Sequence, residues 1–336
     1  MMKSAGRTAI FACLAILVMI GSLGCASSSP NRTQSLNQDS EYRKIMERQK
    51  AEMAAEKKIS QKIPELNAEG YEKQGDQHFS RGNSDLAFIQ YHKALELDPR
   101  NLRVRFKMGH LYLEKGMKDE AKKEFQEIIL ADPTYAPAYE GLGRSYFQSG
   151  EFPEAEKNFL KALQLNPSLW QAFNYLGVLY DRQGKYDVAI SQYQKAISVQ
   201  PEFGLLYNNL GVSLLLKGEN DKAVAAFTGA VKLQASNSKV YNNMAIGLFK
   251  LERYPEALEA FKKAGDEATA YYNLGCLYMA GGRTKEAVES FEKAVEMKPG
   301  FYVQAHQKMK KAREALSSPD AAPRLHSGTS VSKQDP

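Results

Sequence analysis

The sequence predicts an all-α fold, a right-handed solenoid of about seven helical hairpins with a C-terminal capping helix. Three observations point there. One set of small and apolar residues recurs about every 34 positions, and within each period the apolar residues fall at helical spacing. The last period is followed by one more helical stretch, which closes an end that would otherwise expose apolar surface.

The period is clearest from Trp170 to Phe203. Phe173, Leu176, Gly177 and Tyr180 lie on one face of a first helix. After a turn at Gln183-Gly184, Ala189, Tyr193, Ala196 and Ile197 mark a second helix, which ends at Pro201 because a residue before proline is pushed out of the α region. Helices of about 12–15 residues are marginal alone, so each hairpin must bury its stripe against its neighbours.

The first-helix set recurs as Met108, Gly109 and Tyr112, as Leu142, Gly143 and Tyr146, as Leu210, Gly211 and Leu214, as Met244, Ala245 and Leu248, and as Leu274, Gly275 and Tyr278. A weaker copy carries Gly75, Gly82, Ala87, Tyr91, Ala94 and Pro99. Second helices follow in step, with Ala121 and Phe125, Ala155 and Phe159, Ala223 and Phe227, Ala257 and Phe261, and Ala287 and Phe291. Seven repeats are expected over residues 68–299, with boundaries 68–101, 102–135, 136–169, 170–203, 204–237, 238–267 and 268–301.

This pattern resembles the tetratricopeptide repeat family. The resemblance implies that first helices line a concave groove in which partner peptides lie. Gln74 and His78 depart from the family pattern, as a terminal repeat does, and the sixth repeat is short, so its second helix is expected to stop near Ala264.

The chain begins with a secretory layout expected over residues 1–24: Lys3 and Arg7, then the apolar run Thr8 to Ile20, then small residues leading to Cys25. That run is short for a membrane-spanning helix. Ser22-Leu23-Gly24-Cys25 resembles a bacterial lipobox, with Ser22 at the usual leucine position, which implies acylation of Cys25 and sorting to an outer membrane facing the periplasm. An uncleaved anchor and an ordinary signal peptide are the alternatives. Three cysteines fit the lipid reading: Cys13 leaves with the leader, Cys25 carries the lipid, and Cys276 has no partner for a disulfide.

Residues 25–40 read as a flexible tether and 41–66 as a charged helix and linker, solvated, with pairing to another chain or docking on the first repeat as alternatives. Residues 300–316 form the capping helix, with Lys308, Lys310, Lys311 and Arg313 as a solvated face rather than a functional patch. Residues 317–336 are rich in small and polar residues and are expected to be disordered.

The net charge of +6, of which Lys3 and Arg7 supply two, is too mild to suggest nucleic acid. No metal-ligand spacing, phosphate loop or nucleophile elbow appears, so no enzyme, cofactor, metal or small-molecule substrate is expected. The expected site is the groove wall: Asn174, Tyr175, Val178, Asn208, Asn209, Val212, Asn242, Asn243, Ile246 and Asn273. Asn209, Asn243 and Asn273 share one repeat position, where amides can give and accept hydrogen bonds along an extended peptide backbone. The alternative is that these amides bond within the solenoid and that Val212, Ile246 and Cys276 are covered.

The expected function is a non-catalytic, membrane-anchored scaffold that holds a peptide segment or helix of an envelope assembly partner. A lipobox followed by such an array resembles the assembly lipoproteins of type IV and tight-adherence pili, which implies a role in pilus or secretin assembly. An adaptor for cell-wall hydrolases and a self-associating envelope protein are the other readings.

Overall fold

The structure, a computed structural model, describes residues 44, 46–48, 50, 66–233, 237–298 and 303–317. The expected leader, Cys25, the tether, most of segment 41–66 and nearly all of the tail lie outside the described residues. Between Ala68 and Ser317 there are fifteen helices, and there is no strand among the described residues. The class is the expected one, all-α helical hairpins.

The chain forms two compact units, one running to Lys217 and one from Gly218 onward. The N-terminal unit contains α1 (Ala68–Ser80), α2 (Ser84–Leu97), α3 (Leu102–Glu114), α4 (Lys118–Ala131), α5 (Ala136–Ser149), α6 (Phe152–Leu165), α7 (Trp170–Arg182), α8 (Tyr186–Val199) and α9 (Gly204–Lys217). In the C-terminal unit are α10 (Asn220–Lys232), α11 (Ser238–Lys250), α12 (Tyr254–Ala264), α13 (Glu267–Ala280), α14 (Thr284–Met297) and α15 (Val303–Ser317).

Five of the hairpins close over a glycine and an aromatic ring. A Cβ on Gly177 of α7 would lie 2.6 Å from the Tyr193 ring of α8, and one on Gly143 would lie 2.8 Å from Phe159. The second-helix rings Tyr91, Phe125, Phe159 and Tyr193, with Phe227, Phe261 and Phe291 in the C-terminal unit, are among the largest fully buried side chains.

The buried face of α7 is wider than the sequence stripe. Ala172, Leu176, Gly177 and Leu179 are buried, whereas Phe173 and Tyr180 are half-buried. The helix packs on α8 and also on α6 of the preceding repeat, whose Ala155 and Phe159 cluster with Ala172, Leu176 and Leu179, so two neighbours cover more than one stripe.

The ends are also covered. Met46 is half-buried against the cluster of Ala87, Phe88, Tyr91, Val104 and Met108, so at this residue the charged N-terminal segment docks on the first repeat. At the other end α15 packs on α14 through Ala305 and Ala312, both fully buried, and Arg313 reaches Glu292 at 2.5 Å. Helix α12 stops at Ala264, followed by extended Gly265, as the shortened sixth repeat requires.

First helices end in left-handed turns. At Gly184 the φ is +72°, and Lys185 N–H returns to the Tyr180 carbonyl at 2.9 Å. Glu252 holds the same place after α11 with φ +60°, and Arg253 N–H returns to Leu248 O at 2.9 Å. A side chain in this region costs about 1 kcal/mol relative to glycine. Glu252→Gly is therefore expected to stabilise the fold by about 0.5–1 kcal/mol in urea denaturation. Gly177→Ala is expected to destabilise it by about 1–3 kcal/mol, because the Tyr193 ring must move.

Candidate functional site

First helices of successive repeats meet through polar side chains about one period apart. In the N-terminal unit this produces a row of such contacts running from α1 to α9.

The row begins with ions. Arg103 on α3 donates from Nε and NH2 to the two Glu72 oxygens of α1 at 2.6 and 2.7 Å. Lys107 Nζ reaches Glu72 at 2.6 Å and Asp76 at 2.7 Å. Glu72 is buried, yet the Arg103 hydrogen bonds, joined by Lys107, hold its carboxyl below the usual range against the opposing effect of burial.

The next contacts are less complete. Arg144 NH1 of α5 lies 3.2 Å from His110 Nδ1 of α3. Burial, with the Arg144 charge adding to it, lowers His110 to about 4, so the ring is a neutral acceptor. Glu140 is 6 % exposed; its Oε1 has no hydrogen-bond partner and lies 3.8 Å from Arg144 Nε, which is also unpartnered. Burial raises the Glu140 carboxyl to about 7 against the attraction of Arg144.

Beyond them the wall turns aromatic and then amide. Tyr175 of α7 stacks flat on Phe159 at 5.2 Å and meets Phe147 edge-on at 5.5 Å, with the Arg144 guanidinium 5.8 Å from its ring centre. Asn209 of α9 donates from Nδ2 to Asn174 Oδ1 at 2.9 Å, and Asn208 Nδ2 lies 3.3 Å from Asn209 Oδ1. Beside this rung, Asp181 accepts from Tyr193 Oη at 2.8 Å and from Ser213 Oγ at 2.7 Å. Burial raises Asp181 to about 6, although both hydroxyls oppose the shift.

The expected site residues divide accordingly. Asn174, Asn208 and Asn209 are brought together and bond one another, while Val178 and Val212 are half-buried on the same helices. Tyr175 is committed to packing on Phe159 and Phe147. In the C-terminal unit, Asn273 and Asn242 are half-buried, and Asn242 Oδ1 is buried without a partner. Ile246 and Asn243 are corrections: at 1 % and 4 % exposure they offer no surface to a partner. They belong to the wide buried face of α11, which also takes in Val240, Ala245 and Leu248.

Sequence reasoning missed Glu140 as a buried acid and Asp181 as the carboxylate that ties three helices together. The signal for Asp181 was present. The two repeats with tyrosine rather than phenylalanine on the second helix, at Tyr91 and Tyr193, are those where an aspartate, Asp76 or Asp181, receives its hydroxyl. Among the described residues no cluster suits a metal ion, and no helix is long and apolar enough to cross a membrane.

The chain matches the family Cilia and flagella-associated protein 70 C-terminal domain over residues 28–270 and the family Tetratricopeptide repeat over residues 268–301. Among solved structures it is similar to MamA, at 33 % identity over 48 % of this chain and 94 % of that one, with a TM-score of 0.42. It is similar to the APC/C hetero-tetramer Cut9–Hcn1, at 20 % identity over 74 % and 49 %, with a TM-score of 0.55. It is also similar to pilF of Pseudomonas aeruginosa, at 20 % identity over 63 % and 96 %, with a TM-score of 0.50. The latter two likenesses concern the fold alone. No curated protein matches the chain.

Two predictions follow from the burial of these polar groups. Glu140 at about 7 and Asp181 at about 6 both lie above ordinary carboxylate values, so the folded chain holds these protons more tightly than the unfolded one. The stability they contribute is fully present below the ordinary carboxylate range and is lost as pH rises through 6 and 7, at most ~3 kcal/mol for Glu140. Melting temperature should fall as pH is raised from about 5 to about 8, and Glu140→Gln should flatten the upper half of that fall; an unaltered profile removes Glu140 as its source. Asn243→Ala should destabilise the chain by about 1–3 kcal/mol in denaturant, and Asn273→Ala by less than about 1 kcal/mol, since the first alone deletes a buried amide.

Proposed function

The chain belongs to the Cilia and flagella-associated protein 70 C-terminal domain family of tetratricopeptide-repeat proteins, and from that premise we propose that it is a membrane-anchored scaffold holding a protein partner on its first-helix wall. Protein–protein interaction is the function this fold supports, and scaffolds of this type are generally non-enzymatic. The observation that carries the finer reading is the polar wall of the N-terminal unit. Charged, aromatic and amide side chains of α1, α3, α5, α7 and α9 succeed one another along it at the repeat period.

Such a wall can hold an extended segment in two ways. Half-buried amides at Asn174 and Asn208 meet backbone groups, and half-buried Val178 and Val212 take apolar side chains. Because Asn174, Asn208 and Asn209 already bond one another, a partner binds to a prearranged surface and orders few side chains on arrival.

The anchor is proposed from Cys25 at the end of its lipobox-like run, with acyl chains inserted at about 0.8 kcal/mol per buried CH₂. A bacterial outer membrane facing the periplasm is the proposed location, and a partner of pilus or secretin assembly is proposed from the plan of leader, cysteine and repeat array.

Fractionation and affinity capture test the two halves separately. Cys25→Ser is expected to move the chain from the membrane to the soluble fraction; retention at the membrane refutes the lipid anchor. The paired variant Asn174→Ala with Asn208→Ala is expected to bring down several-fold less of the partner captured by the intact chain while melting shifts by only about 1–2 kcal/mol equivalents. Equal capture by both places the contact elsewhere.

A further inference from the structure

The wall of the N-terminal unit does not treat its cations alike. Arg103 and Lys107 are matched by Glu72 and Asp76 at 2.6–2.7 Å. Arg144 and Arg182 are not. Arg144 makes its one close contact with neutral His110, and its nearest carboxylate oxygen, on Glu140, is 3.8 Å away on a group raised to about 7. Arg182, at the end of α7, is exposed and has no ion pair among the described residues.

Both guanidiniums rest on one connected group of rings. Arg144 lies over Tyr175 at 5.8 Å, Tyr175 meets Phe147 at 5.5 Å, and Arg182 lies over Phe147 at 5.5 Å and Phe152 at 5.3 Å. Ring faces attract a guanidinium without neutralising its charge. Two cations are thus positioned on helices of adjacent repeats, α5 and α7: Arg182 has no ion pair among the described residues, and Arg144 has only the long 3.8 Å contact with Glu140, so neither charge is closely matched. A guanidinium over a ring can still donate from its terminal nitrogens to a carboxylate; in Arg144 the Nε is buried and NH1 faces His110, which leaves NH2 for that contact. The amides Asn174 and Asn209 lie on the same side of α7 and α9 and donate and accept without charge.

We propose that Arg144 and Arg182 form a carboxylate-binding pair that selects an acidic segment of the protein partner, with two Asp or Glu side chains set to reach the two guanidiniums. The inference rests on the scaffold reading above and names the chemistry of its partner. The ligand is an internal acidic stretch rather than a free chain end, because the two cations occupy adjacent repeats and ask for two separated carboxylates. Arg144 is the more buried anchor, and Arg182, at the open rim, supplies charge that draws the segment in.

The test is fluorescence anisotropy with the purified full chain and labelled peptides of about twelve residues, blocked at both ends. One peptide carries two separated glutamates in a neutral background, the second replaces them with glutamine, and the third replaces them with lysine. A fourth, neutral along its length, keeps a free C-terminal carboxylate. The acidic peptide is expected to bind at least ten-fold tighter than the other three, to weaken as salt rises from about 50 to 500 mM, and to lose about ten-fold on Arg144→Gln with Arg182→Gln. Arg182→Gln alone, on an exposed side chain, should lose several-fold with melting unchanged, which keeps the test readable if the double variant folds poorly. Equal binding of the glutamate and glutamine peptides, stronger binding of the free-ended peptide, or no loss in the arginine variants overturns the proposal. Its failure is separable from that of the scaffold reading. A captured partner that is lost from the asparagine variant but kept by the arginine variant leaves the wall in place and removes only the acidic ligand.

Discussion

Everything in this fold depends on how closely two helices of one hairpin approach, and that distance is set by a glycine lying against a ring. Gly75 faces Tyr91, Gly109 faces Phe125, Gly143 faces Phe159, Gly177 faces Tyr193 and Gly275 faces Phe291, each with no room for a Cβ. The ring needs the missing side chain to reach full burial, and the helix needs the ring to fill the gap its glycine leaves. Local and tertiary requirements therefore coincide at one pair of positions, which is why a 34-residue unit can be copied along a chain with little else held constant. In the sixth repeat Ala245 stands at the glycine position and Phe261 at the ring position, and both are fully buried, so that hairpin packs with one extra methyl in place.

Because that contact is visible as spacing alone, the helices and their pairing were legible from residues such as Gly177 and Tyr193. The shortened sixth repeat was legible for the same reason: removing residues before Asp266 leaves α12 no length beyond Ala264. The face of a first helix was harder to read. A stripe through Phe173, Leu176 and Tyr180 describes one partner, whereas a repeat helix has a neighbour in its own hairpin and another in the hairpin before it. Ala172 and Leu179 are buried by the second neighbour, and the same widening carries Ile246 and Asn243 inside. One helical wheel drawn for one contact cannot show this, because the second contact comes from another hairpin.

The site was legible in composition and illegible in pairing. Amides at Asn174 and Asn209 are evident in the sequence, but that one donates to the other across 35 positions depends on how far α7 and α9 are staggered. Asp181 is the clearer case. It resembles a solvated wall residue, yet the Tyr193 hydroxyl on its own hairpin needs an acceptor once the ring is buried, and Ser213 of α9 adds a second donor. The carboxylate is thus drawn into the seam between repeats and gives up its role at the surface. The tyrosine-for-phenylalanine exchange in the second helix is the physical cause, and it is readable once the glycine contact is understood.

The same reasoning separates the cations of the wall by what they can still do. A charge already matched at 2.6 Å, such as Arg103 against Glu72, stabilises the contact between repeats and has little left to offer a ligand. Binding there would first have to break a partly buried pair. Arg182 is held by rings, and Arg144 by a ring, neutral His110 and a distant Glu140, contacts that fall short of close ion pairing, so an incoming carboxylate adds to what holds them. The stretch of α5 and α7 is therefore where this repeat wall can gain a partner without first losing a contact of its own.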